Sequence, residues 1–78
     1  MTLSDAIKQR IIELCKERNI TISKMCTLSG LNHSSIASFL SGKTGIPKID
    51  TLYYLTLGLN ISLCEFYNSP LFDNIDDD

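Results

Sequence analysis

Residues 22–42 read ISKMCTLSGLNHSSIASFLSG, and Gly30 divides them into two short segments of helical pattern. Thr21 precedes the first segment, where a hydroxyl can accept a hydrogen bond from an amide of the opening turn. Gly30 follows it, at a place where a left-handed residue ends a helix at low cost. Asn32 stands before the second segment in the same way, and Gly42 closes it. The spacing therefore predicts two helices of about two turns each, joined by a tight glycine turn.

Upstream, Ile7, Ile11, Leu14 and Cys15 recur at helical spacing and predict an amphipathic first helix, with Ser4 and Asp5 as capping candidates and Arg18-Asn19 at its end. Downstream, residues 43–47 (KTGIP) form a loop, because Pro47 disfavours helix at Ile46. A fourth helix is expected from about Lys48 to Leu59, with Ile49, Leu52, Tyr53, Thr56 and Leu59 facing inward. Asn60 can adopt the left-handed turn after it, and Ser62 can cap a short fifth helix through Phe66. Pro70 and the closing DNIDDD mark a solvated tail. No strand pattern or repeat is present, so the reading is an all-α domain over residues 1–69 with an acidic C-terminal tail over 70–78.

A chain of 78 residues builds one compact module. Its apolar runs are only a few residues long, too short to cross a membrane, and Asp5, Lys8 and Arg10 precede any apolar segment of signal-peptide length. A cytoplasmic location is expected. Cys15, Cys26 and Cys64 are widely spaced, with no second Cys or His at ligand distance, and are expected to be reduced, buried small hydrophobes rather than metal ligands. One histidine, no glycine-rich phosphate loop and no nucleophile–base–acid set argue against an enzyme, a cofactor or a small-molecule substrate. Net charge is −2, but residues 1–48 carry all seven basic side chains and a net +4, whereas residues 49–78 carry −6. Such a dipolar chain can turn a basic face toward phosphate.

From Ile22 through Gly42 the chain resembles the helix-turn-helix of the phage repressor and Cro-like (XRE) family. That family places a small residue at the fifth position, where the two helices cross, and glycine at the ninth; Cys26 and Gly30 stand there. Met25, Leu31, Ile36 and Phe39 occupy its apolar wedge positions, and Gly42-Lys43, Pro47 and ISLCEF (61–66) continue the likeness over residues 5–67. The resemblance implies a five-helix, lambda-repressor-like domain that binds double-stranded DNA as a transcriptional regulator of the repressor type, with the third helix in the major groove. His33, Ser34 and Ser38 are then the base-contacting residues, and Thr21, Lys24, Asn32, Ser41, Lys43 and Thr44 the phosphate-contacting ones. Two positions depart from the pattern: Ile22 stands where the family usually has Gln, and Leu40 where it has a polar residue, often Glu.

Tyr54, Leu55 and Leu57 fall outside the expected inward face of the fourth helix. With Leu63, Phe66, Tyr67, Leu71 and Phe72 they predict a homodimer face that sets two recognition helices roughly 34 Å apart. The alternative is a C-terminal segment folded back over the fourth helix of its own chain. At the level of function, the competing reading is a protein-interaction module on the same fold, antitoxin-like or a scaffold. Ile22, the uncharged third helix and the net negative charge favour it, whereas Lys24, Asn32 and Lys43 around that helix favour DNA.

Overall fold

The computed structural model describes residues 1–76; Asp77 and Asp78, the end of the expected tail, lie outside the described residues. Helices α1 (Leu3–Glu17), α2 (Ile22–Ser29), α3 (His33–Leu40), α4 (Ile49–Leu59) and α5 (Leu63–Tyr67) are followed by a 3-10 turn at Pro70–Phe72. No strand occurs among the described residues. Four of the helices, α1, α2, α3 and α5, start where short polar side chains satisfy their free amides. Thr21 Oγ1 accepts from the Lys24 amide at 3.0 Å, Asn32 Oδ1 from Ser34 at 2.8 Å, and Ser62 Oγ from Glu65 at 3.0 Å. Gly30 (φ 67°) and Asn60 (φ 59°) end α2 and α4 in the left-handed region. At α1 the expected caps are corrected: Thr2 Oγ1 accepts from the Asp5 amide, so Ser4 and Asp5 lie inside the helix. Asp5 instead places its carboxylate in the first turn, at the positive end of the helix dipole.

The core draws Ile7, Ile11 and Leu14 from α1, Met25 and Cys26 from α2, Ile36 and Phe39 from α3, Leu52, Leu55 and Leu59 from α4, and Phe66 from α5. Helix α2 packs chiefly on α4. The closest approach is at Gly58, where a Cβ would lie 2.1 Å from Ser29 Oγ and 2.7 and 2.8 Å from the Ser29 backbone N and Cα. This contact exists because residue 58 has no side chain. It accompanies a rotation of α4 away from the expected face: Leu55 is fully buried with Leu52, Thr56 and Leu59, whereas Ile49 is 75% and Tyr53 46% exposed. Apolar residues surround most of α4, so spacing alone admits more than one inward face.

Two cations of α1 and a third at its C-cap, Arg18, meet the C-terminal ends of other helices, where carbonyls lack partners and the dipole is negative. Arg10 is buried; its Nε donates to Phe66 O at 2.6 Å and its Nη2 to Glu65 O at 2.8 Å, while Nη1 pairs with Glu13. Arg18 Nε donates to Leu59 O at 3.2 Å, at the end of α4. Lys8 Nζ sits 5.5 Å from the centre of the Phe39 ring and beside Gly42, just beyond α3.

Two further expectations are corrected. Residues 70–76 do not stand off as a solvated tail: the 3-10 turn packs on α1, Phe72 lies against the core, and the Asp76 amide donates to Met1 O at 2.8 Å. The apolar content of Leu71 and Phe72 favours that docking over exposure to water. Among the cysteines, Cys15 and Cys26 are buried but Cys64 is exposed, because short α5 turns Phe66 inward. Burial pushes the Cys15 and Cys26 thiols above the ordinary thiol range, with the neighbouring Cys26 adding to the effect at Cys15.

Candidate nucleic-acid interface

Helix α3 buries Ile36 and Phe39 and leaves His33, Ser34 and Ser35 exposed, with Ala37 and Ser38 partly so. His33, Ser34 and Ser38, the expected base-contacting residues, thus share the outward surface of α3 near its N-terminus. Ser34, Ser35 and Ser38 border an open groove of about 640 Å³, completed by Thr44, Ile46, Pro47, Lys48 and Thr51 from the loop and the start of α4. Lys48 and Thr51 were not among the expected phosphate contacts; their proximity to α3 depends on the path of the 43–48 loop, which spacing does not specify.

Hydrogen-bond inventory separates the six expected phosphate contacts. Thr21 Oγ1 serves as an acceptor in its cap, leaving its proton free to donate, and Asn32 likewise keeps its NH2 free while Oδ1 caps α3. Ser41 differs: its hydroxyl already donates to Ser38 O at 3.0 Å, so contact with a phosphate as donor requires that bond to break. Lys24, Lys43 and Thr44 are exposed, and no acid forms an ion pair with either lysine among the described residues. Ile22 and Leu40, the two departures from the family pattern, are partly buried and pack against the core. They extend the apolar interior where the family has a polar contact.

The positive charge of residues 1–48 is less available than its sum suggests. Arg10 and Arg18 are committed to carbonyls, and Lys8 leans over Phe39. Lys24, Lys43 and Lys48 remain around α2, α3 and the loop.

The expected homodimer face is divided. Tyr54 (48%), Leu57 (55%) and Tyr67 (38%) are exposed, but Phe66 is fully buried and cannot meet a second chain. Leu71 and Phe72 are partly buried. Phe66 and Tyr67 rings lie 5.0 Å apart, as do Tyr67 and Phe72, in an aromatic cluster within one chain. Ile49 and Tyr53 instead join Leu57 at i, i+4 and i+8 on the exposed side of α4. Leu55, expected outside, is interior.

A capped helix with Cys26 buried, a glycine turn and a second capped helix, braced by α1, α4 and α5, define a repressor-like helix-turn-helix domain. Solved structures agree. The crystal structure of the prophage Lp1 protein 11 matches with a TM-score of 0.82 and 28% identity, over 96% of this chain and 99% of that one. The crystal structure of the wild-type restriction-modification controller protein C.Esp1396I matches at 0.75 with 19% identity, over 86% and 85%, a likeness of fold. The resemblance to phage repressor and Cro-like domains therefore holds in three dimensions. No protein-family model matches the chain, and no curated protein matches it.

Proposed function

We propose that this chain is a non-enzymatic transcriptional regulator of the repressor type, acting in the cytoplasm by sequence-specific binding of double-stranded DNA with α3 in the major groove. The observation that carries this reading is the outward surface of α3: His33 and Ser34 stand exposed at the N-terminal end of a capped helix, in the fold of a controller protein. In this reading His33 offers a ring nitrogen to a purine edge, and Ser34 and Ser38 offer rotatable hydroxyls. Thr21, Lys24, Asn32, Lys43 and Thr44 hold the backbone, with Ser41 able to join after release from Ser38 O. Two copies meet through the exposed side of α4, with Tyr54 and Leu57 from the expected face, joined by Ile49 and Tyr53, and Tyr67 at its edge.

Selection from a random duplex library at about 50 and 200 mM salt tests this function, because phosphate-dominated binding falls steeply over that interval. An enriched inverted repeat with half-sites about one helical turn apart is expected. A second reading, a protein-interaction module, is favoured by the commitment of Arg10 and Arg18 to internal carbonyls and by the apolar exposure of α4. Absence of enrichment at either salt would make it the leading one.

A further inference from the structure

The outward surface of α3 has Ser34, Ser38 and Ser41 along its middle, Ser35 beside the groove, and His33 and Ala37 on the other flank. Its polar stock is smaller than the sequence suggests, since the Ser41 proton is held by Ser38 O and the Asn32 carbonyl by the Ser34 amide. Beyond His33, no outward side chain of α3 extends past its γ atom. A surface this short reaches base edges only when the helix backbone itself comes close to them. At that range the C5-methyl of a pyrimidine, which projects into the major groove, must meet an apolar partner or lose its contact. Ile36 and Phe39 are buried and Leu40 packs on the core, so Ala37 supplies the methyl on the outward surface, partly exposed between Ser34 and Ser41.

We propose that Ala37 is a specificity-determining residue that reads a pyrimidine C5-methyl group, an inference that rests on the DNA-binding reading above. Thymine and 5-methylcytosine present the same methyl at the same edge, and both fit. Apolar contact of this kind discriminates without a hydrogen bond, which suits a helix with few free donors.

The test starts from the duplex recovered by selection. Each thymine is replaced in turn by uracil, which lacks the methyl and keeps the hydrogen-bonding edge, and each cytosine by 5-methylcytosine. Affinity is measured by fluorescence anisotropy for the wild type, Ala37→Gly and Ala37→Ser, the last keeping Cβ and a folded helix, with circular dichroism to confirm folding. Burial of one methyl corresponds to about fourfold in affinity. The expected result is one position where uracil weakens wild-type binding about fourfold, or where 5-methylcytosine strengthens it as much, with the difference abolished by Ala37→Gly and reduced by Ala37→Ser. The first pattern identifies thymine and the second modified cytosine. A site indifferent to both replacements, or a difference that survives in both variants, overturns the role of Ala37 and leaves DNA binding intact. Failure to recover any duplex overturns the DNA reading and this inference with it.

Discussion

At the scale of single residues, chemistry assigns His33 and Lys43 different tasks. In the proposed reading His33 offers directional donors and acceptors to a base edge, so His33→Ala should change sequence preference and cost about 1–3 kcal/mol at the preferred base. Lys43, in the same reading, is a point charge for a phosphate, so Lys43→Ala should weaken every duplex alike and reduce the salt slope by about one. Repeating the library selection and a salt titration with each variant checks this; equal losses on every sequence for both would remove the assignments. The thiols supply a second residue-scale prediction. Only Cys64 of the three is exposed, and burial holds the other two protonated, so brief alkylation of the folded chain should add one adduct by mass spectrometry, and alkylation in denaturant three. The raised thiols also set a sign: above about pH 8.5 the unfolded chain releases protons that the folded one keeps, so stability falls as pH rises further. The outward placement of His33, Ser34 and Ser38 on α3 was legible from the sequence because the motif sets it by local spacing. The engagement of Ser41 with Ser38 O was not, since a hydroxyl's rotamer leaves no trace in the pattern.

At the scale of helices, the junction of α2 and α4 turns on Gly58. Gly→Ala in an exposed helix would add about 1 kcal/mol of stability through helix propensity. Here the added methyl meets Ser29 atoms at 2.1–2.8 Å, two of them backbone, and the helices must separate. Overpacking should win, with Gly58→Ala destabilising by about 1–3 kcal/mol, or roughly 4–8 °C in Tm per kcal/mol. Adding Ser29→Ala removes the Oγ clash but not those with N and Cα, so it should restore stability only in part. Thermal denaturation that finds Gly58→Ala as stable as the wild type would contradict this packing. Helix limits were legible because Thr21, Gly30, Asn32, Asn60 and Ser62 act within one turn of themselves. The face of α4 was not. Its ring of apolar residues carries weak periodicity, and the partner that orients it, Ser29, lies 29 residues away in sequence. Still greater separations in sequence, 55 and 56 residues, hid the Arg10 contacts with Glu65 and Phe66, and distance likewise hid the docking of residues 70–76 on α1.

At the scale of the molecule, the balance of charge and apolar surface determines how this chain can hold DNA. With Arg10, Arg18 and Lys8 engaged inside one chain, Lys24, Lys43 and Lys48 supply the phosphate-neutralising charge near α3, so a single copy should show a slope of log K against log salt of about −3. Such a domain should bind weakly alone at physiological salt. Pairing two copies through Ile49, Tyr53, Tyr54 and Leu57 doubles the charges on one duplex and makes the second contact intramolecular, raising affinity without any new base contact. Leu57 is the test position because it is 55% exposed and outside the core. Leu57→Glu should leave the stability of the single chain within about 0.5 kcal/mol of the wild type, as surface substitutions do, while placing like charges across a two-fold axis. Sedimentation should then show the wild type as a dimer and the variant as a monomer, and the salt slope on an inverted repeat should fall from about −5 to about −3. A wild type that stays monomeric and selects a single half-site would remove the α4 dimer and leave α3 to read DNA in one copy. A variant that still dimerises would move the contact off this side of α4, with Tyr67 as the next position to charge.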